Sequence, residues 1–121
     1  MRVVGRYPLL LTIFAVVVLL FISKDSYLHD MGNHYDSAWF LTCGRAWVNG
    51  LLPYADFSDS KGPLLWAIYA VGYVLNRHSY VGVFWLSCAA WAFTLVAAYK
   101  TARLYVCGAS ACVAALVVAL F

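Results

Sequence analysis

Glutamate is missing from this 121-residue chain, and its five aspartates, Asp25, Asp30, Asp36, Asp56 and Asp59, all fall between two apolar segments. Charged residues of either sign make up 11% of the sequence, against about 25% in an average soluble domain. That shortage excludes an ordinary water-soluble globule. The net charge of +3 comes from scattered basic residues, which excludes the basic patch or stripe of a nucleic-acid binder. No Gly-rich phosphate loop and no dinucleotide fingerprint occurs. The four cysteines show no C-x-x-C or metal-ligand spacing, so neither a disulfide nor a zinc cluster is expected. Cys88, Cys107 and Cys112 sit in apolar runs and read as small hydrophobes, whereas Cys43 stands alone in the polar segment.

What the chain does contain is apolar: 65% of its residues are hydrophobic and 17% aromatic. The pattern predicts an all-α, multi-pass membrane protein with three to four transmembrane helices. The first span, about residues 4–22, follows Arg2 and Arg6 and imitates a secretory signal. Ser-Lys-Asp-Ser-Tyr stands where a cleavage site belongs, so it reads as an uncleaved signal anchor with snorkelling arginines. The second span begins at Pro63, a suitable first-turn residue. Its apolar run is short of the ~20 residues a crossing needs, so it is expected to extend over about residues 63–78 or to thin the bilayer. A third span covers residues 80–99 and ends before Lys100. The fourth, residues 104–121, is apolar to its last residue; the expectation is the amino-terminal part of a longer multi-pass protein, the alternative a small protein whose terminus tucks into the far headgroups. His78, beside Arg77, reads as a turn residue.

Charge does not orient these spans. Arg2, Arg6 and Arg77 fall on one side, and Lys24, Arg45, Lys61, Lys100 and Arg103 on the other.

Polar chemistry is confined to the loop of residues 23–62. Within it, residues 33–50 predict a helix lying along the membrane surface and capped by Gly50. Trp39, Phe40, Cys43, Ala46 and Trp47 share one side, and Thr42, Arg45 and Asn49 the other, with Leu41 and Val48 as exceptions. Asp36 opens the helix, where the backbone dipole welcomes negative charge, and on the wheel it lies within the aromatic face. It is either a helix cap or a functional carboxylate aimed at the membrane domain. The following stretch, punctuated by Pro53 and Gly62-Pro63, delivers Asp56, Asp59 and Lys61 to the start of the next helix. An interfacial lysine snorkels or meets a lipid phosphate, and exposed aspartates commonly bond locally. His29 and His34 flank Asp30, but this spacing fits no recognised metal pattern.

Two quoted segments carry a resemblance: Tyr35-Asp-Ser-Ala-Trp-Phe, and Leu52-Pro-Tyr-Ala-Asp-Phe-Ser-Asp-Ser-Lys-Gly-Pro-Leu-Leu. Together with the helix ending Asn-Gly, they resemble the start of the multi-pass GT-C glycosyltransferases. The likeness is to the bacterial dolichyl-phosphate-mannose-protein mannosyltransferase-like group and the Rgt-type transferases. The resemblance implies transfer of a sugar from a polyprenyl-phosphate carrier to a protein, lipid or polysaccharide acceptor at the outer face of the cell membrane. It implies a cytoplasmic amino terminus and an extracytoplasmic loop 23–62, with Lys100 and Arg103 outside against the charge rule. Asp36 matches the family's general base and Lys61 the lysine that holds the carrier phosphate. Asp56 and Asp59 lie within the motif, shaping the loop or contacting the sugar. Many relatives have Asp-Glu where this chain has Asp36-Ser37, and some bind a divalent metal through an acid where this chain has Ser60. The resemblance implies no other cofactor, and predicts that the isolated chain, lacking the family's further spans, is inactive.

Two readings compete with it. Small residues in Ser87-Cys-Ala-Ala and Gly108-Ala-Ser-Ala-Cys would let helices approach closely, as in a small non-enzymatic assembly partner. A transporter or channel piece is disfavoured because no ionisable residue interrupts an apolar run.

Overall fold

The computed structural model describes residues 6–24, 26–29 and 35–120, the side chains of 119 and 120 excepted. Among them are five helices: α1 (Arg6–Ile22), α2 (Tyr35–Val48), α3 (Pro63–Leu75), α4 (Val81–Ala102) and α5 (Gly108–Leu120). No strand forms among the described residues; one isolated bridge joins Pro53 and Phe57. The all-α expectation therefore holds.

Helix boundaries depart from the hydropathy pattern in two places. The second apolar helix stops at Leu75 rather than near residue 78. Asn76 has turned to extended backbone at φ −147° and ψ 108°, and its Oδ1 accepts the His78 N–H at 3.0 Å. Asparagine side chains close such turns readily, which halts the helix against its apolar momentum. The last helix starts at Gly108 rather than 104 because α4 runs on to Ala102 and a turn follows. Among the described residues only α4, with 22 residues, is long and apolar enough to cross a membrane; α1, α3 and α5 are apolar but shorter. At 1.5 Å per residue a 13-residue helix such as α3 spans roughly 20 Å, against a hydrocarbon core of about 30 Å.

The chain divides into two compact units, one formed by residues 1–21 and 87–121, the other by residues 22–86. In the first, the buried core is Leu11, Ala15, Leu95, Tyr99, Ala111 and Ala115. These are pairs four residues apart on α1, α4 and α5, one stripe of each helix. Three of the six are alanine, which lets backbones come close. Tyr7 closes one end with its ring 5.8 Å from that of Tyr99.

The second unit packs α2 on α3 and α3 on the start of α4 through glycine. A Cβ on Gly44 would lie 2.6 Å from the Ala70 nitrogen. A Cβ on Gly82 would run into the Gly72 carbonyl, and one on Gly72 would lie 2.5 Å from the Val83 side chain. Neither contact leaves room for a side chain.

Candidate functional site

The polar loop and α2 lie in the second unit. Helix α2 ends as its sequence predicts. Gly50 adopts φ +94°, the left-handed conformation that glycine takes without steric cost. Its N–H donates to the Trp47 carbonyl at 3.0 Å, and the Leu51 N–H donates to the Ala46 carbonyl at 3.0 Å. This paired closure satisfies carbonyls that the helix end would otherwise leave open.

The buried side of α2 is not centred where the helical wheel puts it. Cys43 and Gly44 are the buried residues, Gly44 lies against the α3 backbone, and the Phe40 ring is 5.6 Å from Tyr69. Trp39, assigned to the aromatic face, remains 43% exposed. Asp36 occupies the first turn as expected, but it is exposed rather than turned inward. The predicted first residues of the helix, Asn33 and His34, lie outside the described residues.

Between α2 and α3 the loop folds on its own hydrogen bonds. Asp56 and Leu52 close a turn reciprocally: the Asp56 Oδ2 accepts the Leu52 N–H at 2.7 Å, and the Asp56 N–H donates to the Leu52 carbonyl at 2.9 Å. Inside that turn Tyr54 takes φ +66°, a conformation that is costly for a bulky residue. Its N–H donates to the Phe57 carbonyl at 2.7 Å. The Tyr54 ring lies 4.9 Å from Trp66 and the Phe57 ring 5.2 Å from it. Trp66, on the first turn of α3, is thereby fully buried. Its indole Nε1 is a buried donor without a partner among the described residues. Aromatic contacts in tilted and edge-on geometry stabilise the clamp.

Asp59 and Lys61 complete the loop. The Asp59 Oδ1 accepts the Ser60 N–H at 2.5 Å and the Ser60 hydroxyl at 3.0 Å. Its Oδ2 accepts the Trp39 indole N–H at 3.1 Å, tying the loop to α2 across 20 residues. The Ser60 backbone bond above all, then the Ser60 hydroxyl, Trp39 and the Lys61 charge, hold the Asp59 carboxyl below its usual range. Burial, with the Asp59 charge second, raises the Cys43 thiol above its ordinary value. Lys61 is exposed, and its carbonyl accepts the Tyr54 hydroxyl at 3.2 Å. Next in the chain, Gly62 caps α3 without a side-chain hydrogen bond, and Pro63 opens the helix. A cation thus precedes a helix start whose dipole favours anions.

Asp56 and Asp59 are therefore engaged with the loop. None of the described contacts joins Asp36 to Asp56, Asp59 or Lys61. An apolar groove of about 330 Å³, lined by Trp47, Val48, Ala67, Ala70 and Val71, runs beside this region between α2 and α3. Among the described residues no three metal-ligating side chains cluster. His29 Nδ1 shares a 3.1 Å hydrogen bond with the buried Ser26 hydroxyl; Asp30 and His34 lie outside the described residues.

Sequence reasoning overlooked Trp39, Tyr54 and Trp66. The first and last were absorbed into an aromatic face and an apolar run. The signal for Tyr54 was available in Leu52-Pro-Tyr-Ala-Asp56, where an aspartate four residues on can close a turn around the proline. No protein-family model, curated protein or solved structure matches the chain.

Proposed function

We propose that this chain is a multi-pass membrane protein supplying the first-loop site of a GT-C-like glycosyltransferase, with α2 and residues 23–62 at the outer face. The observation that carries the reading is the loop: Lys61 is exposed before the open amino end of α3, on a segment tied to α2 by Trp39–Asp59. A flexible snorkelling lysine has no need of such a frame. Apolar side chains exposed along the helices, such as Phe21, Leu64, Phe93 and Val113, suit lipid or further membrane helices.

In the proposed reaction, the ionised Asp36 accepts the proton of an acceptor hydroxyl as its oxygen bonds to the anomeric carbon. The bond from that carbon to the carrier oxygen breaks, and the electron pair leaves with the prenyl phosphate. Lys61 and the α3 N–H groups stabilise the departing negative charge. Asp56 and Asp59 act on the substrate through the loop they shape. The apolar groove between α2 and α3 is suited to the first isoprene units of the carrier.

Replacing the chromosomal locus by a copy carrying Asp36→Asn tests the proposal. A general base contributes typically ~10²–10⁴-fold, so the variant should abolish the envelope glycan that depends on the locus. Undiminished glycan at equal protein abundance sinks the catalytic assignment. Of the two small-residue segments behind the assembly-partner reading, Cys88 and Ala111 are buried within the chain, whereas Ala89, Ala90, Ala109 and Ser110 are exposed and free to meet another helix.

A further inference from the structure

We infer that Tyr54 is a positioning residue for Lys61, holding the lysine so that its ammonium meets the phosphate of a prenyl-linked donor; the inference rests on the reading of Lys61 given above. Four observations meet at Tyr54. Its backbone is in the left-handed region at φ +66°, where an aromatic residue is held only if its surroundings over-determine it. Its N–H is engaged by Phe57. Its ring rests on the buried Trp66. Its hydroxyl reaches seven residues along the chain to the carbonyl of Lys61 itself.

From the other side, Asp59 grips Ser60 and is in turn gripped by Trp39. The backbone of Lys61 is thus tethered on one side to α3 through Tyr54 and on the other to α2 through Asp59. Its side chain is left exposed. A charge-assisted bond to phosphate loses less entropy when the lysine backbone is already in place, and the Tyr54 hydroxyl supplies that preorganisation without touching the ligand.

The test compares binding of a polyprenyl monophosphate with binding of the matching polyprenol, both presented in neutral vesicles to the reconstituted chain. The phosphate-dependent gain in affinity is the readout, because a general loss of packing affects both ligands alike. Tyr54→Phe keeps the ring on Trp66 and removes only the hydroxyl. It should reduce the gain about three- to tenfold, the value of one hydrogen bond, and leave polyprenol binding unchanged. Lys61→Gln should erase the gain.

If Lys61→Gln erases the gain while Tyr54→Phe leaves it intact, the positioning role is wrong and the phosphate site stands. Equal losses of monophosphate and polyprenol binding in Tyr54→Phe likewise overturn it. If the wild-type chain shows no gain, or Lys61→Gln retains it, the phosphate reading fails and takes the inference with it.

Discussion

The two units of this chain are held together by different physics. The unit built on Leu11, Ala15, Leu95, Tyr99, Ala111 and Ala115 is a helix-packing core. Its contacts are dispersive and non-directional, and its specificity comes from which positions are small. The unit containing the loop is organised by directional bonds: two carboxylates that accept backbone N–H groups, an indole that reaches a carboxylate, and rings set against Trp66. The first arrangement tolerates redistribution of volume. In the second, losing one atom removes one identifiable tether. Chemistry that needs a charge held in place is better served by the second.

Trp66 gives the largest expected separation between them. Trp66→Ala empties the centre of the aromatic clamp, and such truncations cost about 3–5 kcal/mol. The loop should become protease-sensitive between residues 52 and 61, while the fragments from α1, α4 and α5 stay protected. Uniform cleavage across the chain would show that the contrast between units is false.

Glycine packing sets the next level. Gly82→Val drives a side chain into the Gly72 carbonyl, a backbone neighbour that cannot step aside, and overpacking of this kind costs about 1–3 kcal/mol or more. In the other unit Ala115→Gly should cost about 1 kcal/mol through helix propensity. Thermal melts in one detergent should show the larger loss for Gly82→Val; the reverse order would mean that α3 and α4 do not approach as described.

Below these lies the turn closed by Asp56. Asp56→Ala leaves the Leu52 N–H without its side-chain acceptor, in an exposed site where water takes its place. A loss of about 1 kcal/mol or less is expected, with faster amide exchange at Leu52. Unchanged exchange there would remove Asp56 from the account of the loop.

How far the sequence foretells these features depends on the range of the interaction. The α2 terminus was legible because Gly50 acts through bonds to Ala46 and Trp47, within its own turn. The apolar helices were legible from their long runs of hydrophobic residues. The end of α3 was not, since it depends on the Asn76 side chain outcompeting the helix. At the site, Asp56, Asp59 and Lys61 could be singled out by type and crowding. That Asp59 bonds Trp39, 20 residues away, depends on how α2 is set against α3 by Gly44, which no periodicity encodes. The same holds for Tyr54, whose backbone conformation contradicts its own residue preference.

The smallest expected effect is also the most direct probe of the loop. Asp59 is held below the ordinary carboxylate range, first by the Ser60 N–H and then by the Ser60 hydroxyl, Trp39 and Lys61. A carboxyl whose folded value is depressed contributes stability above its unfolded value. That contribution declines as pH falls through the window between the two and is gone below the folded one. The window therefore opens near the ordinary aspartate value of about 4 and extends downward. Because Asp59 is only partly shielded from solvent, the change in global stability should be slight, and the local bond is the better observable. The Trp39 indole N–H donates to the Asp59 Oδ2, so its NMR resonance should titrate with the carboxyl. The midpoint should lie on the acid side of ordinary aspartate, and the transition should vanish in Asp59→Asn. A midpoint at or above the ordinary value would mean that the Ser60 and Trp39 tethers are not formed. The directional character assigned to this unit, and with it the fixed placement of Lys61, would then have no basis.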